Sequence, residues 1–224
     1  MILTDNKWVL TKEKSFISLH GSFDWKCTSD KKPILFIGGV HGDEPEGVSL
    51  AESLLEWLKN NNSKNLKTHW ILIPCLNPDG FKNNQRVNSN GVDLNRNYPS
   101  VDWTPKHDAP RYYPGPTPSS EIEITNLCQL IHKVKPQLIV HFHSWKPCLV
   151  FAGPNDAHPL VDELAQSSNY EVISDIGYPT PGSLSQWAWK DHKIPVLCIE
   201  EREGANKEEI WTRFGPGFTK FLSP

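Results

Sequence analysis

The sequence lacks several features that mark specialised classes of protein. It has no apolar run of the length that a membrane span needs, and no two cysteines form a Cys-x-x-Cys pair. Basic residues are not in excess, since 23 Lys and Arg stand against 26 Asp and Glu, for a formal net charge of −3. These absences argue against a membrane-spanning protein, a Cys-x-x-Cys site and a nucleic-acid-binding domain. We therefore expect neither a nucleic acid nor a membrane as a partner.

Cysteine is also scarce and scattered. The five cysteines are an odd number at irregular spacings. Three of them lie in apolar stretches, which predicts core thiols: Cys75, Cys128 and Cys198. The first residues show no basic segment followed by an apolar one, as a signal peptide would. Together these features predict a protein of the reducing cytoplasm.

Four apolar runs alternate with segments in which apolar residues recur at helical spacing. The runs cover residues 32–40, 68–76, 136–145 and 193–203, and the helical segments cover 45–61, 119–134 and 158–169. Buried strands separated by helices predict an α/β fold, with helices packed over a mostly parallel sheet. The length of 224 residues is enough for one domain with a full core.

Shorter signals refine this outline. Residues 77–80 (NPDG) predict a turn after the second strand, and a Ser N-cap is predicted at the start of the helix in 119–134. The polar segment 81–118 is long for a structureless loop, which indicates a functional role. Because ligands bind beyond the carboxyl ends of strands in open α/β sheets, we expect the site there.

Chemically active side chains lie in or just after three of the predicted strands. His41 and Glu44 come after the first strand, His143 lies near the end of the third, and Glu200 lies in the fourth. Two imidazoles and a carboxylate from separate strands suit a catalytic Zn²⁺, which takes three protein ligands and leaves a fourth position open. Gly42 and the turn around it would let His41 and Glu44 converge on one ion.

These residues also have structural interpretations. The His-Gly-Asp-Glu stretch could be a solvated turn, and Glu200 could lie at an exposed strand end. His141 and His143 share one face of a strand, and at most one of them is expected to be a ligand. We favour His143, which lies nearer the strand's end, and expect His141 to be packed and hydrogen-bonded. Asp43 and Glu46 would serve the turn and the positive N-terminus of the following helix.

Seven short motifs, in the same order, resemble the zinc carboxypeptidase family. They are GGVHGDEPEG, NPDG, RVNSNGVDLNRNYP, SSEIE, HFHSW, YPTPGSLSQW and IPVLCIEE, and they extend from about residue 33 to residue 202. The resemblance implies a three-layer α/β fold, with a mostly parallel mixed sheet and helices on both faces. It also implies a single catalytic domain over residues 1–224, without a propeptide or accessory domain. Within the family, the sequence is most similar to the bacterial murein peptide amidases, which cut the bond between γ-D-glutamate and meso-diaminopimelate in cell-wall peptides.

The resemblance further implies one Zn²⁺ per chain and a set of residues that act on the scissile bond. The family's zinc ligands fall at His41, Glu44 and His143. Asp93 matches an acid that holds the first ligand histidine. Arg86 matches the arginine that polarises the scissile carbonyl, and Glu200 matches the general base.

Other matching positions would bind the substrate, for which the resemblance implies a small peptide such as a murein tripeptide. Asn95 and Arg96 match the pair that grips the terminal carboxylate, and Tyr178 matches a mobile tyrosine that closes over the substrate. Leu184 falls where the family sets side-chain preference, with Cys198 nearby in that pocket.

Several alternatives stay open. A second carboxylate of diaminopimelate would need a basic partner, for which Arg111 and Lys146 are candidates, with a solvated surface charge as the alternative for both. The aspartoacylase and succinylglutamate desuccinylase group shares the Gly-x-His-Gly-x-Glu start and an Asp-Leu-Asn-Arg segment, but it cleaves acylated amino acids. A non-catalytic binding module is a further alternative, although such a module would be expected to lack Glu200 or a metal ligand.

Overall fold

Strands and helices alternate along the chain. A computed structural model of the protein describes residues 2–26, 32–61, 66–154 and 158–224, so that Cys27 lies outside the described residues. The strands are β1 (Leu3–Leu10), β2 (Phe16–Gly21), β3 (Ile34–Ile37), β4 (Trp70–Ile73), β5 (Leu138–Trp145), β6 (Cys148–Ala152), β7 (Val172–Ile173) and β8 (Val196–Arg202). The α-helices are α1 (Pro45–Asn60), α2 (Pro78–Asn83), α3 (Ile122–Val134), α4 (Pro159–Ser168) and α5 (Lys207–Leu222).

The strands form one mixed sheet in the order β1-β2-β4-β3-β5-β8-β6-β7. Its centre, β4-β3-β5-β8, is parallel, whereas β1 and β2 on one side and β6 against β8 on the other pair antiparallel. The four central strands are the four that the apolar runs predict. The other four escaped prediction because they lie towards the edges, where β1 alternates exposed and half-buried positions and β7 has only two residues.

Alternate residues of the central strands pack into two hydrophobic cores, one on each face of the sheet. On one face, Ile37 and Ile139 pack with Leu127 of α3. On the other face, Phe36 and Val140 pack with apolar residues of α1, α4 and α5. The three-layer α/β fold with helices on both faces is therefore confirmed. Among the described residues, no helix combines the length and the apolar character that crossing a bilayer requires.

The structure corrects two predictions about helix ends. Helix α3 has Glu121 at its N-cap, so the prediction of a Ser N-cap is wrong, and Ser120 Oγ instead donates to Glu121 Oε1 at 2.7 Å. Residues 77–80, predicted as a turn, include the start of α2, where the Asn77 side chain caps the first turn and Pro78 occupies the first helical position. Proline at that position favours a helix start, which explains why the turn-like sequence begins a helix.

Two further segments differ from the sequence outline. Helix α5 was not predicted, because Pro216 and its neighbouring glycines interrupt the helical pattern. The long polar segment 81–118 is mostly loop, with short 3₁₀ helices at Leu94–Arg96 and Pro110–Tyr112.

The parallel register brings the candidate site residues to one edge of the sheet. His141 pairs with Cys198, and His143 pairs with Glu200. Paired residues on neighbouring strands point to the same face, so these four side chains lie together at the carboxyl ends of β5 and β8. Ile37, at the end of β3, pairs with His141, which places the turn after β3 beside them.

Candidate metal centre

A tight turn after β3 presents His41 and Glu44. Gly39 adopts a φ of +58°, which glycine tolerates without strain. A Cβ at Gly42 would lie 2.0 Å from a backbone carbon of α2, and the Gly42 N–H donates to the Arg86 carbonyl at 3.4 Å. Glycine at these positions therefore lets the turn close against the loop that carries Arg86.

His41, Glu44 and His143 meet at this turn. The Nδ1 atom of His41 lies 2.7 Å from Glu44 Oε1, and the Nδ1 atom of His143 lies 2.7 Å from Glu44 Oε2. The two Nδ1 atoms are 3.0 Å apart, and each imidazole is 3% exposed. Potential ligand atoms of the three residues all lie within 4.8 Å of one another. The structure thus brings together the three ligands that the sequence predicts.

Asp93 determines which nitrogen of His41 carries the proton. An ionised carboxylate can only accept, so the His41 Nε2–H donates to Asp93 Oδ1, at 3.1 Å. Neutral His41 therefore holds a lone pair on Nδ1, which faces the Glu44 carboxylate. Two acceptors held 2.7 Å apart repel each other unless a cation or a proton lies between them. Two imidazole nitrogens and a carboxylate in this arrangement fit a zinc ion.

His141 is the hydrogen-bond partner of the His143 imidazole. Its Nδ1 atom lies 2.8 Å from His143 Nε2. Burial, together with the charges of His143 and His41, holds the pKa of His141 well below its usual range. Neutral His141 can accept the Nε2–H of His143, which leaves the His143 Nδ1 lone pair for a cation.

The charges around the point where His41, Glu44 and His143 meet favour a cation there. Burial acts to raise the pKa of Glu44, but His41 and His143 outweigh it and lower that pKa well below its usual range. Burial and Arg86 oppose protonation of His41, but Glu44 and Asp93 prevail and raise its pKa. A divalent cation would satisfy the same negative field without a proton on either ligand.

A second group of potential metal ligands shares His143 with the first: His141, His143 and Cys198. Burial and the neighbouring Glu200 raise the pKa of the Cys198 thiol well above its usual value. The thiol donates to Glu200 Oε1 at 3.3 Å. Because the thiolate is the form that binds metals, the group with Glu44 is the better site.

Arg86 folds inward over the metal site. Its Nε donates to Asp93 Oδ2 at 2.9 Å, and its Nη1 donates to Glu44 Oε1 at 3.1 Å. Burial opposes the charge, but Asp93 and Glu44 outweigh it and raise the pKa of Arg86. The guanidinium is therefore held beside the candidate ligands, where it can polarise a bound carbonyl.

Glu200 lies on β8, in register with His143 on β5. Burial raises the pKa of Glu200, His143 opposes the rise and Glu44 adds to it. A carboxylate with a raised pKa is a stronger proton acceptor than an exposed one. The position and the pKa both suit a general base at the edge of the metal site.

Arg96 is a buried cation that has no carboxylate partner in the part of the chain that the structure describes. It is 7% exposed, and none of the described residues forms an ion pair with it. Its Nη1 donates to the Asn95 carbonyl at 2.8 Å. Asn95 Oδ1 accepts from the Leu184 backbone N–H at 3.0 Å, which leaves the Asn95 Nδ2 as a donor. A buried positive charge beside an oriented amide suits an anionic ligand group.

The structure does not bring the Leu184 side chain to the accessible part of the site. Leu184 is fully buried and packs in the hydrophobic core beneath α3, with Trp187 as a neighbouring core residue. Its contribution to the site is the backbone N–H that orients Asn95. A role of the Leu184 side chain in setting side-chain preference stays a prediction. Cys198 is also buried, beneath Glu200.

Tyr178 lies at the rim of the site and is 43% exposed. Its ring packs edge-to-face on Trp145, with the ring centroids 5.8 Å apart. Burial raises the pKa of the Tyr178 phenol, Arg96 lowers it and Glu200 raises it. The Tyr178 phenol is thus close enough for the charges of Arg96 and Glu200 to shift its pKa.

The sequence interpretation missed what two residues do. Glu46 lies in the first turn of α1, as predicted, but its buried carboxylate also accepts from Ser144 Oγ at 2.7 Å and from the Gly204 N–H at 2.6 Å. It therefore ties α1 to the ends of β5 and β8. Tyr112 contacts both Arg86 and Arg96, and no spacing in the sequence links these positions.

Comparison with known families agrees with this geometry. The family model described as zinc carboxypeptidase (Peptidase_M14) matches residues 17–221. The chain belongs to the zinc carboxypeptidase family. The matched range includes every candidate ligand and the candidate base.

Individual relatives are found among the zinc carboxypeptidases. Murein peptide amidase A of Escherichia coli K12 is 35% identical over 164 residues, which is 68% of this chain and 64% of that protein. The chain thus spans less than two thirds of that relative. Murein peptide amidase A of Vibrio campbellii is 29% identical over 178 residues, or 74% of this chain and 68% of that protein.

Solved structures of zinc carboxypeptidases share the fold. The murein-tripeptide amidase MpaA from Escherichia coli O157 superposes with a TM-score of 0.77 at 25% identity, covering 99% of this chain and 92% of that chain. Carboxypeptidase A from Helicoverpa armigera superposes with a TM-score of 0.74 at 18% identity, covering 96% and 67%. The second likeness supports the fold alone.

Proposed function

We propose that the protein is a zinc-dependent peptidase that hydrolyses the amide bond before a C-terminal residue. One observation carries this proposal: lone pairs of His41, Glu44 and His143 converge on one buried point, with Glu200 in register beside His143. The proposal includes one Zn²⁺ per chain, held by those three side chains. It also takes residues 1–224 to act as a single catalytic domain.

The protein's own residues would divide the chemistry as follows. Zinc, when bound, supplies Lewis acidity at a carbonyl oxygen and at a neighbouring water. Glu200 accepts the proton of the attacking water and returns it to the leaving amine. Arg86 donates to the oxygen on which negative charge develops, an effect worth about 3–4 kcal/mol for one preorganised donor. Asp93 holds both Arg86 and His41 in the orientations these roles require.

Substrate binding would use the unpaired charge at Arg96. A terminal carboxylate can take two parallel hydrogen bonds from a guanidinium and a third from the Asn95 amide. Tyr178 lies at the rim on a half-exposed aromatic pair with Trp145, where it can close over a bound peptide. These contacts select a substrate whose scissile bond lies one residue from a free carboxyl terminus.

The proposed substrate is a murein peptide, cut between γ-D-glutamate and meso-diaminopimelate. Support comes from the two murein peptide amidases among the relatives and from the likeness to a murein-tripeptide amidase structure. We also propose a cytoplasmic location. The cysteines of the described residues are free thiols, as a reducing compartment favours: Cys75, Cys128, Cys148 and Cys198.

Product analysis of an L-Ala-γ-D-Glu-meso-diaminopimelate digest tests the proposal. We expect the wild type to release diaminopimelate, and Glu200→Gln to lose about 10²–10⁴-fold in rate at an unchanged zinc content. Turnover of N-acetyl-aspartate serves as the comparison substrate. Release of alanine, no release at all, or faster turnover of N-acetyl-aspartate would refute the proposed activity.

A further inference from the structure

Three arginines surround a single tyrosine ring at the mouth of the site. The guanidinium carbons of Arg86, Arg96 and Arg111 lie 5.4, 6.0 and 5.5 Å from the ring centroid of Tyr112. Two of these arginines belong to the proposed catalytic and carboxylate-binding groups. Arg111 is therefore the third cation around this ring, and its half-exposed side chain is open to a ligand.

Arg111 is held in place but keeps most of its donors free. Its Nη2 donates to Asp43 Oδ2 at 3.3 Å, and its side chain is 55% exposed. Asp43 lies in the turn between His41 and Glu44, so this ion pair places the Arg111 guanidinium beside the turn that carries two of the candidate metal ligands. A guanidinium has five N–H donors, of which this bond uses one.

Each arginine of the cluster has a different state of pairing. Arg86 contacts two carboxylates, Arg96 contacts none among the described residues, and Arg111 contacts one through a single hydrogen bond. Arg96 and Arg111 therefore both have capacity for an incoming anion. Two cations with free donors, both beside the Tyr112 ring that Arg86 also contacts, match a substrate with a carboxylate on each side of the scissile bond.

We propose that Arg111 is a specificity-determining residue that binds a carboxylate on the residue preceding the scissile bond. The proposal rests on the proposed peptidase function. A γ-linked glutamate has such a group, because its α-carboxylate remains free when the side chain forms the peptide bond. An α-linked residue has no free α-carboxylate, because that group forms the scissile bond. Arg111 would thus favour γ-linked glutamyl substrates over ordinary peptides.

Lys146 provides a matched control beside Trp145. Its ammonium lies 4.7 Å from the ring centroid of Trp145, which packs against Tyr178. It is thus also a cation on an aromatic ring near the rim, but it does not touch the Tyr112 cluster. If Lys146 bound the glutamyl α-carboxylate instead of Arg111, the preference for substrates with that group would depend on Lys146.

The test compares the turnover of two substrates by three proteins. L-Ala-γ-D-Glu-meso-diaminopimelate is compared with the analogue whose glutamyl α-carboxylate is a carboxamide, using the wild type, Arg111→Gln and Lys146→Gln. We expect the wild type to prefer the acid by about tenfold in kcat/KM, as a charge-assisted hydrogen bond at a half-exposed site would give. Arg111→Gln should abolish this preference, and Lys146→Gln should retain it. The wild-type preference should also shrink as salt is raised.

The outcomes separate the two proposals. Equal wild-type turnover of acid and amide, or an equal loss on both substrates in Arg111→Gln, would overturn the role of Arg111 and leave the peptidase function standing. Loss of the preference in Lys146→Gln alone would mean that Lys146, and not Arg111, binds the glutamyl α-carboxylate. If the zinc-loaded wild type cleaves neither substrate, the proposed function itself fails. Thermal unfolding of each variant verifies that the fold is retained.

Discussion

Asp93 and Glu123 are both almost fully buried carboxylates, yet their pKa values shift in opposite directions. Burial acts to raise both. At Asp93, His41 and Arg86 outweigh burial and lower the pKa. At Glu123, burial dominates over weaker hydrogen bonds from its own backbone and from Asn88, and the pKa rises to about 7. The neighbouring positive charge, and not the depth of burial, decides the sign.

One loop, residues 86–93, links the two carboxylates, since Asp93 is its last residue and Glu123 of α3 accepts from its Asn88. On the side of the site, Arg86 and Asp93 form an ion pair at the two ends of the loop. On the side of the core, Asn88 Nδ2 donates to Glu121 Oε2 at 2.7 Å and lies 3.4 Å from Glu123 Oε1. The loop thus carries an ion pair where it faces the proposed chemistry and is anchored by hydrogen bonds from Asn88 where it faces α3.

Removing the charge of Asp93 should have the largest effect. In Asp93→Asn, one of the two donors, His41 Nε2–H or Arg86 Nε–H, loses its acceptor. We expect zinc affinity, measured by competition with a chelator, to fall about 10–100-fold. The value of kcat/KM should fall by at least about 100-fold, because Arg86 also loses its anchor.

Asp162→Asn is a control for this variant, since α4 packs on the opposite face of the sheet and Asp162 lies in its first turn. It should bind zinc as the wild type does. Wild-type zinc affinity in Asp93→Asn would show that Asp93 does not orient His41.

Neutralising Glu123 should change stability rather than zinc binding. A folded-state pKa of about 7, against 4.5 for an unperturbed glutamate, means that stability is fully present below pH 4.5 and is lost as pH rises to about 7. Glu123→Gln cannot lose a proton, so its unfolding free energy should exceed that of the wild type by at most about 3 kcal/mol above pH 7. Denaturant unfolding between pH 4.5 and 8 measures the difference.

A difference between the two proteins that does not change with pH would mean that Glu123 is not the titrating group. Zinc affinity should be the same in both, because Glu123 does not touch a candidate ligand. A fall in affinity comparable with that of Asp93→Asn would remove the distinction between the two sides of the loop.

His141, the neutral hydrogen-bond partner of His143, should affect zinc affinity less than Asp93 does. His141→Leu removes the acceptor for His143 Nε2–H, and we expect zinc affinity to fall about tenfold. His141→Asn keeps an acceptor close to the position of Nδ1 and should recover most of that loss. If the two variants bind zinc equally, His141 is a packing residue without an orienting role.

The sequence predicted the central part of the fold because buried parallel strands are continuous apolar runs. The apolar runs that precede His41, contain His143 and surround Glu200 form the neighbouring strands β3, β5 and β8. The parallel register of these strands explains why residues so far apart in sequence meet. The edge strands and α5 could not be predicted in the same way, since exposure in β1 and Pro216 in α5 obscure the local pattern.

The candidate ligands could be proposed from residue type and strand position, whereas contacts that depend on packing could not. Leu184 illustrates this limit, because only the structure distinguishes a side chain in the core from one in the pocket. Tyr112 illustrates it as well, since two of its arginine neighbours, Arg86 and Arg96, lie far from it in sequence. Hydrogen-bond partners such as His141 for His143 likewise depend on three-dimensional proximity.

A crystal structure of the zinc-loaded protein, with anomalous data collected at the zinc edge, tests the central claim most directly. We predict one peak, about 2 Å from the Nδ1 atoms of His41 and His143 and from a carboxylate oxygen of Glu44. A peak between His141, His143 and Cys198 instead, or none at Glu44, would contradict the proposed metal centre.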